Sequence, residues 1–425
     1  MVSFDAHQFL LTALLALATT VTASADSSIY IQCGPPGSDC IHLAAGDGMV
    51  TMASDDEKPL YIFSFSEVPL PGVDGAPTDP SLYAEYTMDY GALSANAPAP
   101  TLVADEDIPV YLNLTNVGMA LRPDLSDPHT VHWHGFPNAS AVFDGVPDAS
   151  ISINGGATLT YFYKPVDAGT YMYHCHVEAT EHMQMGMLGN LYVRPRQNQL
   201  AAGANLYTAF LTNPANADNG GQTAAPALNT DATHVAGQAY AYNDGDGSTA
   251  YDVEVPIQIG SFDPDFHDAS YLVQPLPFRG MRDKYFLLNG RGYPDTVDEA
   301  VHYTMNDLDN NEPSQPVSTH IEAAAGARIL LRISNLNVTT FNTLGTNGIP
   351  MEVIALDARL LRDADGNNMY YMTNSITLGG GQSADVILDT TGLSGKTFFL
   401  YSKNLDRLAN NAENFGGAMT EIRIN

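Results

Sequence analysis

Six of the twelve histidines fall in two short segments, and one of the three cysteines sits inside the second. The first segment is His129-Thr-Val-His132-Trp-His134-Gly135; forty residues after His134 comes His174-Cys175-His176, followed by His182 and Met187. His132 and His134 are two apart, so on an extended strand both side chains leave the same face, and the same holds for His174 and His176. Cys175 then points the opposite way. One sheet edge would present four imidazoles together while the thiol turns into the domain. A soft thiolate, two imidazoles and a weak thioether are the ligand set copper takes for rapid electron transfer. Cys175, His182 and Met187 on one loop, with His129 from a distant strand, match that set. Zinc also takes His and Cys, but structural zinc favours clustered cysteines and has no use for a methionine. The backbone running from Cys175 into His174 and His176 would join this copper to whatever the imidazole face binds.

Such residues need a rigid frame, and the chain reads as one built of strands. Helical periodicity is scarce. Short β-branched and aromatic runs recur instead, such as Val110–Leu114, Ala157–Tyr163, Leu188–Val193, Arg328–Ile333 and Ala384–Leu388. Gly, Pro, Asn and Asp clusters separate them, the pattern of antiparallel β-sandwiches. The expected fold class is all-β, with one sandwich over 50–198 and a second over 250–425. Residues 199–249, rich in Ala, Asn, Gly, Asp and Thr, read as a linker. Residues 26–49 read as an N-terminal extension.

The 48 acidic residues against 17 basic ones give a net charge of −31, which argues against nucleic acid or an anionic membrane as a partner. Phe9–Ala23 is a short apolar run followed by Ala23-Ser24-Ala25, so 1–25 reads as a secretory signal and the chain as secreted or periplasmic. Cys33 and Cys40, close together in CGPPGSDC, can close a small disulfide loop after export. Cys175 is left over, in keeping with a metal role. Three N-glycosylation sequons begin at Asn113, Asn138 and Asn337.

At the histidine segments the chain resembles the multicopper oxidase and copper nitrite reductase superfamily. HTVHWHGFPN, Asp144-Gly145, GTYMYHCH from Gly169 and Gly186-Met187 carry the likeness; FLLNGRGYPD, ARILLRISN and GGGQSADVIL extend it into the second half. The resemblance implies two cupredoxin-like Greek-key domains. It implies type 1 copper ligands at His129, Cys175 and His182 with Met187 axial, and type 2/type 3 copper at His132, His134, His174 and His176. Electrons from a small-molecule or metal-ion donor would pass through Cys175 to that cluster, where dioxygen is reduced to water. Asp144 or Asp148 would relay protons, although either also suits a turn.

Three departures bear on this. The loop from Cys175 to His182 is longer than in ordinary laccases. A trinuclear cluster in the family takes eight histidines, half from each of two domains, whereas His234, His267, His302 and His320 of the second half form no HxH pair. Two-domain members assemble as trimers, so the resemblance implies a homo-oligomer whose partner copy completes the cluster. In nitrite reductases an aspartate stands where this chain has His132, and a histidine where it has Lys403. The alternatives are a blue-copper electron carrier or copper-binding protein without turnover, and a nitrite-reductase-like enzyme.

Overall fold

The computed structural model describes residues 29–52, 59–136, 140–211, 231–305, 311–363, 365–411, 413–414 and 416–425. The expected signal segment and Asn138 lie outside these residues. Among the described residues no helix is long and apolar enough to cross a membrane.

The first sandwich packs two four-stranded sheets. One has the order β2 (Pro59–Glu67), β1 (Asp39–Thr51), β4 (Val110–Gly118), β6 (Thr158–Tyr163); the other has β3 (Ala99–Asp105), β8 (Leu188–Arg194), β7 (Gly169–His174), β5 (His132–His134). Their facing side chains, including Phe63, Phe65, Leu112, Tyr161, Trp133 and Leu191, form one buried core that also encloses Cys175 and Met187. Burying side chains of this size contributes roughly 1.5–3 kcal/mol each before entropy is counted. Trp133 stacks on Tyr163 with ring centroids 3.7 Å apart, fixing the short β5 from inside.

Several boundaries differ from the expected ones. The sandwich begins inside the stretch read as an extension, because β1 is a central strand, antiparallel to β2 and parallel to β4. β3 and β8 also run parallel, so the sheets are mixed rather than antiparallel. A helix, α1 (Pro80–Gly91), interrupts the strand pattern; Asp79 caps it by accepting from the Ser81 and Leu82 amides, and Pro80 opens it. The described part of 199–249 is packed rather than linker-like. Tyr240, Ala241 and Tyr242 are buried, and Asp244 accepts from the Gly247 and Thr249 amides and from Gln197.

In the second half, one sheet has the order 285–288, 253–262, 328–335, 382–389, 351–356, 359–360, with 371–373 also on 351–356. The other has the order 321–323, 419–424, 396–402, 342–346, 375–378, and apolar side chains from both enclose a separate core. The halves are joined by buried polar bonds. Thr170 of β7 donates to Asp385 at 2.5 Å and its carbonyl accepts from Ser383. Arg332, fully buried, donates to the Thr170 hydroxyl across the junction at 3.3 Å and, within the second half, pairs with Glu254 at 2.6 Å and Asp385 at 3.5 Å. This second half covers the outer face of β7, which is why that strand is buried along its whole length.

Candidate metal centre

β5 and β7 lie side by side in antiparallel register, with His132 opposite His174 and His134 opposite Met172. The strand alternation sends the imidazoles to one side. The rings of His132, His134, His174 and His176 lie with centroids 5.1–5.8 Å apart in five pairs. Ligand nitrogens of His132, His134 and His174 come within 4.8 Å of one another. His134 Nδ1 stands 3.3 Å from His174 Nε2.

Two rings have their tautomers set by backbone carbonyls, which can only accept. His132 donates Nδ1–H to the Asp144 carbonyl at 2.6 Å, and His174 donates Nδ1–H to the Cys175 carbonyl at 2.7 Å. Each keeps Nε2 for a metal, the orienting arrangement ligating histidines use. Burial lowers the His174 pKa to about 3, only partly offset by that carbonyl. Burial likewise lowers His132 and His134, so these rings stay neutral, as ligation needs. The Asp144 carboxylate stands 3.4 Å from His132 Nδ1 at the site's rim. Asp148 is exposed.

Cys175 lies just past the end of β7, fully buried. Its Sγ is 3.2 Å from His182 Nδ1 and 3.9 Å from His129 Nδ1, and the three ligand atoms lie within 4.8 Å of one another. His182 sits on a short helix, α2 (Ala179–Met185), where an open loop was expected. His267 packs against that helix, its ring nitrogens 2.9 Å from the Gln184 carbonyl and 2.6 Å from the Tyr61 carbonyl, one of which accepts its single N–H. Met187 is tied to both partners through its backbone, donating to the His182 carbonyl at 2.8 Å and accepting from the Cys175 amide at 3.1 Å. Burial works against a charged Cys175, but bonds to His129 and His182 and their charge outweigh it and hold the thiol at about 5.

A soft thiolate between two imidazoles, in the core beside Met187, fits copper. The Nε2 atoms of His129 and His182 have no hydrogen-bond partner, in keeping with rings turned by their Nδ1 edges toward the thiol.

Three contributors carried no signal in the sequence pattern. Thr130 donates its amide to Cys175 Sγ at 3.4 Å while its hydroxyl accepts from the His176 amide, bracketing the thiol. Asp127 places a carboxylate oxygen 3.7 Å from His182 Nε2. The third is a wall from the second half. The imidazole face opens into a cleft of about 610 Å³ lined there by Leu336–Phe341 and Gly380-Gly381. That wall brings no histidine. Lys403, the position of interest for nitrite reduction, is not among the lining residues and donates to the Tyr401 hydroxyl.

Family models described as multicopper oxidase match residues 84–198 and 282–420. A multicopper oxidase of Talaromyces pinophilus is 35% identical over 108 residues, 25% of this chain and 16% of that protein. Laccase-1 of Emericella nidulans is 33% identical over 129 residues, 27% of this chain and 20% of that protein. The matched stretches thus span a fifth or less of those relatives' length. The fold is shared with the blue copper oxidase of Nitrosomonas europaea (TM-score 0.58, 19% identity, 91% of this chain and 86% of that one). It is also shared with the copper nitrite reductase of the same organism (TM-score 0.51, 13% identity, 91% and 94%). All-β, with two cupredoxin-like sandwiches and the two matches falling one in each half, the chain belongs to the multicopper oxidase family.

Proposed function

We propose that the chain is a copper-dependent oxidoreductase that takes single electrons from a small-molecule or metal-ion donor at the His129–Cys175–His182 centre and delivers them to dioxygen at the imidazole face. One observation carries this reading. The Cys175 thiol faces His129 and His182, while its backbone neighbours His174 and His176 line the cleft. Copper at the two sites would supply the one-electron chemistry that oxidises the donor and reduces dioxygen to water.

The chain's own residues set the stage for that chemistry. Met187, buried beside Cys175, would supply a weak thioether to a copper held there, and the Thr130 amide steadies the thiolate. The Cys175 carbonyl orients His174, so one residue serves both centres. Asp144, beside His132 and partly exposed, is the carboxylate placed to pass protons inward; Asp148 has no such contact. His182 has no exposed surface, so a donor meets the protein at its cover, where Asp127 is partly exposed. The Cys33–Cys40 disulfide supports an oxidising compartment, secreted or periplasmic. The homo-oligomer expected from the resemblance, a trimer, belongs to this reading.

A blue-copper electron carrier is the second reading, favoured by the missing ligands on the second half. Copper counting with paramagnetic resonance and dioxygen uptake tests the choice. Type 2 signal together with uptake that disappears in Cys175→Ser supports the oxidoreductase; a type 1 signal alone leaves the carrier.

A further inference from the structure

We infer that the imidazole face is closed by the second half of the same chain rather than by another copy, making an acceptor site whose only protein ligands are His132, His134, His174 and His176. This deepens the oxidoreductase reading and rests on it.

The closure is built into a glycine turn. A Cβ on Gly381 would lie 2.7 Å from His134 Nε2, and Gly381 has φ +86°, a conformation that itself favours glycine. A Cβ on Gly380 would lie 2.6 Å from the Asn337 carbonyl, and one on Gly379 2.8 Å from the Phe341 ring. Three successive glycines therefore let this turn fit between the Asn337–Phe341 loop and the His134 ring. The loop is pinned in its turn. Arg407 donates to the Phe341 carbonyl at 2.6 Å and to the Thr340 hydroxyl at 2.7 Å. Asn337 bonds Ser261, Thr339 bonds Asp283, and the Gly381 amide donates to the Asn335 carbonyl at 2.8 Å.

An eight-imidazole cage would need four more rings against this face. Two such faces can meet only if the Gly381 turn leaves His134. The remaining histidines of a second copy offer little. His42 is buried and bonded at both ring nitrogens, His267 is buried with both ring nitrogens against backbone carbonyls, and His234 is buried. His320 has a side chain only 5% exposed and bonds Glu299; His302, 21% exposed, bonds Asp298. His7 lies outside the described residues. The open side of the four rings thus faces the cleft, across from Asn337, Thr339 and Thr340.

The test is elemental copper counting on the copper-loaded full chain, with its mass by light scattering and the thiolate–copper absorption band followed in parallel. The expected result is the band together with about two, and at most about three, copper ions per chain, retained on dilution to a single chain. Four per chain, held only in an oligomer and lost on dilution, would overturn the inference. Absence of both band and copper overturns the oxidoreductase reading as well, and so is told apart from failure of the closure alone. In Gly381→Ala the band should persist while copper affinity at the imidazole face falls about tenfold. Unchanged affinity in that variant, folded by its melting curve, would place the wall elsewhere and overturn the closure.

Discussion

His174 donates its Nδ1–H to the carbonyl of Cys175, the next residue in the chain, at 2.7 Å. The peptide unit carrying the thiol therefore also orients a ring of the imidazole face. In His174→Gln the thiol and its partners stay in place, so the thiolate–copper band should be retained. Copper affinity at the imidazole face should fall by about 100-fold or more, because a candidate ligand is lost and the loss of an outer-shell partner alone costs about 10- to 100-fold. Chelator competition, read separately from the absorption band, checks this.

Asp144 touches His132 twice, through its carbonyl at 2.6 Å and its carboxylate at 3.4 Å. Only the carboxylate changes in Asp144→Asn. Copper binding should then weaken about fivefold or less, the value of one ordinary hydrogen bond. Dioxygen uptake should fall about a hundredfold if the carboxylate moves protons. Equal losses in both measurements would make Asp144 a purely orienting residue.

His42 lies in the first core between the Tyr83 and Thr115 hydroxyls, each at 2.7 Å, and burial lowers its pKa from 6.5 to about 3. A histidine depressed in the folded state leaves the unfolded chain holding the proton first. Its contribution to stability is thus full above 6.5 and is lost as pH falls toward 3, by about 1.4 kcal/mol per unit in that window. Urea unfolding of the metal-free protein at several pH values should show a shallower acid loss in His42→Gln than in the parent.

Arg332 sits fully buried between Glu254 and Asp385. In Arg332→Met both carboxylates lose their buried partner, and stability should drop by about 3–5 kcal/mol. Arg332→Met combined with Glu254→Gln and Asp385→Asn should recover part of that loss. Thermal melts of the two variants provide the comparison.

The clustering of the candidate ligand residues was legible because strand alternation is strictly local: two apart in sequence means one face, and β5 and β7 obey it at His132, His134 and His174. The all-β class was legible for the same reason. Helix α1 was missed although Asp79-Pro80 is a recognisable start, because the tyrosines that follow also suit strands. Helix α2 was missed because its seven residues are too few to show a period, and His267, far along the chain, helps hold it. Asp127, Thr130 and the Gly379–Gly381 turn lay beyond reach for another reason. Carboxylates, hydroxyls and glycines are common, and only the fold brings these to the site.

The bonds that Thr170 makes to Asp385 and Ser383 bear on how such a protein can be inherited. All the candidate copper ligands belong to the first half, yet the strand leading to Cys175 owes its dry outer side to the second. A shortened descendant keeping only the ligand-bearing half would expose that strand, and its ring geometry would loosen with it. The half without candidate ligands is thus not spare cargo that drift can discard, and recombination keeps the candidate centre's packing only when both halves travel together.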